Sequence, residues 1–153
     1  MNSYITQIAD KALNVSATLR RLSSAQKNAI LEKLAQLIEE RAPALKTENA
    51  KDIAYAKEIK LEASLVERLT LSDKVIEAMA RAAREIAALP DPVGEVIEGR
   101  TLESGLKLTK VRAPLGVILL IYESRPNVTI DVGALCLKSG NAAILRGGKE
   151  AIH

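Results

Sequence analysis

Arg146-Gly147-Gly148-Lys149 puts two cations and two glycines into four consecutive positions. Placed after an apolar strand and at a helix start, such a segment offers free backbone N–H groups, a positive dipole end and two side-chain charges. Its natural partner is an anion, and a nucleotide phosphate is the leading candidate. The segment matches neither G-x-G-x-x-G nor G-x-x-x-x-G-K-[ST], the common dinucleotide and P-loop patterns. The alternative is a plain Gly-Gly turn flanked by solvated cations.

A second polar run, Glu123-Ser124-Arg125-Pro126-Asn127, follows another apolar stretch directly. Pro126 stiffens it and disfavours a helical conformation at Arg125. Arg125 could bind a carboxylate or phosphate, and Asn127 could donate to a developing oxyanion. The competing reading has Asn127 only capping a helix while Glu123 and Arg125 pair with each other. Cys136, between Leu135 and Leu137 in the middle of an expected helix, reads as buried packing rather than a nucleophile. Lys138 reads as a solvated cation near a helix C-terminus. The single histidine, His153, is the last residue, so a Ser-His-Asp triad is set aside. No carboxylate pair suits acid–base catalysis, and no metal-ligand cluster is present in the sequence.

The elements that must position these runs follow from periodicity. Val117 to Ile121 is continuously apolar, as in a strand buried on both faces of a parallel sheet. Asn127 would cap a helix carrying Val128, Val132, Leu135 and Cys136, which stops at Ser139-Gly140-Asn141 with Gly140 left-handed. Ala142 to Leu145 is a second strand, and residues 146–149 open another helix. This βαβ unit, with a right-handed crossover expected, brings two polar loops side by side at strand C-terminal ends, where open α/β sheets place ligands.

Upstream, the pattern is helical. Ile5, Ile8, Ala9, Ala12 and Leu13 share one face from Ser3 onward. Ser23 with Gln26 forms a capping box before the stripe Ile30, Leu31, Leu34, Leu37 and Ile38, which ends near Pro43. Further helices are expected over roughly Glu48 to Ile59 and Ser64 to Leu69. The last, capped by Ser72, turns Val75, Ile76, Met79, Ala80, Ala83 and Ile86 inward and ends at Pro90 and Pro92. Val93 to Ile97 and Leu106 to Val111 then read as antiparallel strands joined through Glu98-Gly99-Arg100 and Ser104-Gly105, at a sheet edge or subunit contact.

At 153 residues, 48% hydrophobic and 27% charged, the chain suits about one ordinary globular domain. Its longest apolar run, Gly116 to Tyr122, is too short to cross a bilayer, and no secretory leader pattern follows Met1. One cysteine allows no internal disulfide and fits a reducing, cytoplasmic compartment. The net charge of +3 is uneven: residues 1–99 hold 14 Lys+Arg against 15 Asp+Glu, and residues 100–153 hold 8 against 4. Three tyrosines are the only aromatics, so there is little on which bases could stack. A local anion site, not nucleic acid, best explains the excess.

The stretches from Val111 through Ile118, from Ile121 through Val132 and from Leu135 through Glu150, with Asp91-Pro92-Val93-Gly94 and Ser104-Gly105-Leu106, carry a resemblance. They closely resemble the gamma-glutamyl phosphate reductase (glutamate-5-semialdehyde dehydrogenase) family of the aldehyde dehydrogenase superfamily. The resemblance covers essentially the whole chain. It implies an α/β fold: N-terminal helices over 1–90, a hairpin-like segment over 91–112 serving as a possible oligomerisation contact, and the first βαβ unit of a Rossmann-like NADP-binding domain over 113–153. The catalytic domain is absent, so the chain reads as the N-terminal part of a longer protein.

The implied activity is the NADPH-dependent reduction of L-glutamyl 5-phosphate to L-glutamate 5-semialdehyde and phosphate in L-proline biosynthesis. In that family a cysteine thiolate attacks the acyl phosphate, and this cysteine lies downstream of the present residues. Cys136 does not match it, so the fragment is expected to be inactive. By the same resemblance, Arg146 and Lys149 select NADP(H) over NAD(H), with Gly147, Gly148, Glu123 and Ser124 completing the cofactor contacts. Either Asn127 or Arg125 meets the superfamily's oxyanion-hole asparagine. Asn127 is favoured as the donor, and Arg125 as a substrate phosphate or carboxylate contact. Implied partners are copies of the same chain and glutamate 5-kinase. Another aldehyde dehydrogenase or acyl-phosphate reductase, or a non-catalytic interaction module, are the alternative readings.

Overall fold

The computed structural model describes residues 3–153 and contains six α-helices and four strands among them. The helical part comprises α1 (Ser3–Leu19), α2 (Ser24–Glu40), α3 (Ala42–Glu58), α4 (Ala63–Leu69) and α5 (Asp73–Ala88). The capping box forms as expected: Gln26 N–H donates to Ser23 Oγ at 3.3 Å, and Ser23 N–H donates to Gln26 Oε1 at 2.9 Å. Ser72 likewise accepts from Val75 N–H at the start of α5. Helix α3 begins six residues before its expected start. Pro43, read as a stop, sits in its first turn, where its missing N–H has no intrahelical role.

Two apolar clusters form the core. Ala35, Ile38, Leu71, Ile76, Met79, Ala80 and Ala83 make one, and Leu31, Ile86, Ala87 and Ala134 the other. Alanines at five of these α2, α5 and α6 positions let the helices approach closely, so small side chains rather than aromatics set the packing. The inward face of α2 is Leu31, Ala35 and Ile38, while Ile30 is 44% exposed. On α1 the expected stripe is largely uncovered, with Ile5 and Leu13 exposed. One face of α1 lies against the later strands.

Strands β1 (Val96–Thr101) and β2 (Lys107–Val111) form an antiparallel hairpin, every residue of which is exposed. Here the expected boundaries are corrected. A turn in which Glu95 N–H donates to Pro92 O, with Gly94 at φ +84°, delays β1 to Val96. Glu98-Gly99-Arg100 lies inside β1, where Glu98 stands opposite Lys110, a favourable cross-strand charge pair. The reversal is at Leu102–Leu106, with Gly105 at φ +82°.

Strands β3 (Val117–Ile121) and β4 (Ala142–Arg146) pair in parallel, from Val117 opposite Ala142 to Ile121 opposite Arg146, with α6 (Pro126–Lys138) between them. Helix α6 ends in a Schellman motif: Asn141 N–H donates to Cys136 O at 2.8 Å, Gly140 N–H donates to Leu137 O, and Gly140 adopts φ +73°. Double-sided burial of β3 is not met. Leu119 and Ile121 are about 60% exposed, because nothing among the described residues covers that face. No described helix is long and apolar enough to cross a membrane.

Candidate functional site

The parallel pairing brings the two polar loops together. Tyr122 N–H donates to Arg146 O at 3.1 Å, one step beyond the ladder, so 122–127 and 146–150 leave the sheet at the same end. Arg146 is the last residue of β4 rather than a loop residue, and its side chain is exposed. Gly147 lies under the Tyr122 ring, and Lys149 is exposed. The helix expected at this point is absent. Residues 149–150 form a turn instead.

Glu150 instead reaches back across the junction. Its Oε1 accepts from Ser124 N–H at 2.7 Å and from Ser124 Oγ at 2.9 Å, with both residues buried. A Cβ at Gly148 would overlap the same carboxylate, so only glycine leaves it room. Burial opposes its ionisation, yet its own N–H, the Ser124 N–H and hydroxyl, and nearby Lys149 hold the Glu150 carboxyl below its usual range. Ser124 takes a left-handed φ of +47°, unusual for a non-glycine residue. Its N–H and hydroxyl are both committed to Glu150. Ser124 therefore ties the two loops together.

The loop also departs from its expected cap. Arg125 is the N-cap of α6, without a side-chain cap bond, and Pro126 occupies the first turn, where proline is well suited. Asn127 lies one position further in, half-buried, and donates through Nδ2 to Asp131 Oδ2 at 3.2 Å. That i,i+4 partner was visible in the sequence spacing and was missed. Glu123 and Arg125 are both exposed and do not pair with each other among the described residues. Asn127 and Asp131 border a cleft of about 740 Å³ between α4, α5 and α6. A smaller cavity, about 270 Å³, runs beneath Tyr122 and Gly147 toward Asn49 and Asp52.

Cys136 is buried, as expected, and burial pushes its thiol up, away from nucleophilic use. Lys138 is the opposite of a solvated cation. It is 3% exposed and donates to Asn28 Oδ1 at 2.6 Å and to Ala87 O at 2.8 Å, joining α6 to α2 and to the last turn of α5. Sequence position could not reveal this, because both acceptors lie far away along the chain. No group of three or more metal-ligating side chains occurs among the described residues.

No family model matches the chain. It is similar to curated gamma-glutamyl phosphate reductases from two Leptospira interrogans serovars, Copenhageni and Lai, at 54% and 53% identity over 150 residues. These alignments cover 98% of the chain and 36% of each relative. Crystal structures of gamma-glutamyl phosphate reductase from Thermotoga maritima (TM-score 0.91, 42% identity) and Saccharomyces cerevisiae (TM-score 0.88, 44% identity) superpose on 95% of the chain. The superpositions cover 35% and 37% of those structures. The chain thus spans about a third of the length of the relatives it matches. Over that span it is similar to the gamma-glutamyl phosphate reductases, and its α/β fold matches their N-terminal part.

Proposed function

We propose that these residues form the cofactor-side, N-terminal part of an enzyme that reduces L-glutamyl 5-phosphate to L-glutamate 5-semialdehyde, the NADPH-dependent step of L-proline biosynthesis. The observation that carries this reading is 54% identity along nearly the whole chain to enzymes of that name. Residues 113–153 then supply the first βαβ unit of a Rossmann-like nucleotide-binding domain, whose further strands would cover the apolar face of β3. The uncovered face at Leu119 and Ile121 fits such an addition.

The cation pair at the end of β4 fits a phosphorylated dinucleotide. Arg146 and Lys149 are exposed and form no ion pair among the described residues. Arg146 and Lys149 would hold the 2′-phosphate that separates NADP(H) from NAD(H), with Glu123 at the edge of the site. Bound NADPH supplies the hydride. Arg125, exposed at the head of α6, attracts the substrate's phosphate or carboxylate. Asn127 already donates one amide hydrogen toward Asp131 and keeps a second for the oxyanion that develops at the substrate carbonyl.

The exposed hairpin fits a contact between copies of the chain. Val96, Ile97, Leu106, Leu108 and Val111 all present apolar surface there, and an isolated two-stranded hairpin is marginal in water. A labile acyl phosphate would also favour delivery from the kinase that makes it, glutamate 5-kinase, in the cytoplasm.

The test is the reverse reaction of a polypeptide carrying this chain at its relatives' full length. With L-glutamate 5-semialdehyde and phosphate, NADP⁺ should be reduced in preference to NAD⁺. Asn127→Ala should lower turnover far more than NADPH affinity, and unchanged turnover would reject its role.

A further inference from the structure

Four charges of both signs line the cleft between α4, α5 and α6: Glu67 and Arg68 on α4, Lys74 on α5 and Asp131 on α6. Elsewhere this surface pairs its charges readily, as in Lys46 with Asp73, Arg84 with Glu39 and Arg112 with Glu95. Around the cleft the charges stay apart. Among the described residues Glu67, Arg68, Lys74 and Asp131 form no ion pair, and Asp131 accepts only from the Asn127 amide. The floor between them is small and apolar, formed by Val75, Ala78, Met79 and Ala82.

Helices α5 and α6 meet in a way that orients the charges. Ile130, early in α6, packs against the cluster that holds Ile76, Met79, Ala80 and Ala83 of α5, while Ala134 clusters with Ile86 and Ala87 and Lys138 bonds to Ala87 O at the helix ends. The helices therefore run in the same direction. Lys74 and Asn127 both sit in first turns, so two positive helix ends lie at the same end of the cleft. A volume of about 740 Å³ lies within the range of small-molecule sites.

Separated cations and carboxylates over an apolar floor complement a zwitterion with a short aliphatic chain. We propose that this cleft receives the α-amino-acid head of the substrate, Arg68 and Lys74 facing its α-carboxylate and Glu67 and Asp131 its α-ammonium. The side-chain methylenes lie over Ala78 and Ala82. The reacting end points toward Asn127, in the same cleft. This assignment rests on the reading under Proposed function and adds to it the residues that make the site select an L-α-amino acid rather than a simple aldehyde.

The probe is L-glutamate, titrated into the isotope-labelled 153-residue chain while backbone amide shifts are followed. Saturable shifts at Arg68, Lys74 and Asp131 are expected. Glutarate, which lacks the ammonium, and 4-aminobutyrate, which lacks the α-carboxylate, should each bind at least about tenfold more weakly. The Arg68→Gln/Lys74→Gln double variant changes only exposed side chains, and its fold is checked by circular dichroism. It should lose about tenfold or more in L-glutamate affinity. Equal binding of glutarate and L-glutamate, or an unaffected double variant, overturns the proposal, as does the absence of any shift at the cleft. NADPH is titrated separately: failure to shift residues 146–149 counts against the cofactor reading alone, and the response to L-glutamate judges the cleft.

Discussion

Lys27 on α2 donates to both carboxylate oxygens of Asp91, at 2.9 and 3.0 Å, with the lysine only 1% exposed. Asp91 also accepts from Ser24 Oγ and Val93 N–H, so one carboxylate joins the start of α2 to the segment leaving α5. That segment leads to the hairpin and then to β3. The orientation of the helical part relative to the loops at 122–127 and 146–150 therefore depends in part on this pair.

Removing one partner should be far worse than removing both. Asp91→Ala leaves an ammonium buried without a counter-charge and should cost about 3–5 kcal/mol. A Lys27→Met/Asp91→Leu double variant, which fills the space without charge, should recover much of that loss. Urea denaturation of the three chains separates the cases. Equal loss in the single and double variants would mean that the pair's role lies in its shape rather than its charge.

The same carboxylate sets an acid limit. Burial raises its pKa, but hydrogen bonds from Lys27, Val93 N–H and Ser24, with the lysine charge, hold it below the ordinary 3.8. On acidification the unfolded chain therefore takes up this proton first. The stabilisation is complete above pH 3.8 and is lost as pH falls through the lower folded value. Stability followed from pH 6 to about pH 2 should decline at the acid end, and Asp91→Asn should flatten that part of the decline.

Gly140 is where the Schellman turn meets the rest of the fold. At φ +73° an added Cβ would lie 3.0 Å from Pro114 Cγ and 3.3 Å from Val93 Cγ2. Gly140→Ala should therefore cost about 2–4 kcal/mol, combining left-handed strain of about 1 kcal/mol with overpacking of about 1–3 kcal/mol. Thermal or urea unfolding measures it, and a loss below about 0.5 kcal/mol would mean that the neighbours relax freely.

What could be read before the structure was local. The Ser23–Gln26 capping box, the Ser139-Gly140-Asn141 stop and the apolar runs 117–121 and 142–145 are encoded within a few residues, and each appears where its spacing predicts. Pro43 and Pro126 were harder, because proline both ends helices and begins them, and only the neighbouring turn decides which. The site was legible in outline. Parallel pairing was enough to bring Arg125 and Arg146 to one end of the sheet. Its wiring was not legible. Ser124 finds Glu150 26 positions away and Lys138 finds Asn28 110 positions away, partners that no short motif announces.

The Ser124–Glu150 bond gives the loop junction its own test. Glu150→Ala removes the acceptor from a buried N–H, so exchange of the Ser124 amide with deuterium should accelerate at least about tenfold. Glu150→Gln keeps an acceptor oxygen and should stay within a few-fold of the parent. In the parent chain the carboxyl titrates below 4.5, so protection should persist down to that pH and fall only below it. Equal rates in all three chains would show that the loop is held by its backbone alone.

The proposed coenzyme preference rests on the charges beside Gly147 and Gly148. Among the described residues Lys149 carries no carboxylate partner in a salt bridge, and its charge reaches solvent at the same end of the sheet as Arg146. A 2′-phosphate adds nearly two negative charges that a cation favours, whereas a carboxylate at this position would repel them and accept ribose hydroxyls instead. Lys149→Glu should therefore weaken NADPH binding by at least about tenfold while leaving NADH binding equal or stronger. Arg146→Gln should weaken NADPH by a similar factor without improving NADH, because it removes one attraction and adds no acceptor for the ribose. Fluorescence titration with both coenzymes reads the ratio directly. A Lys149→Glu protein that kept its full preference for NADPH would move the selecting charge away from this loop.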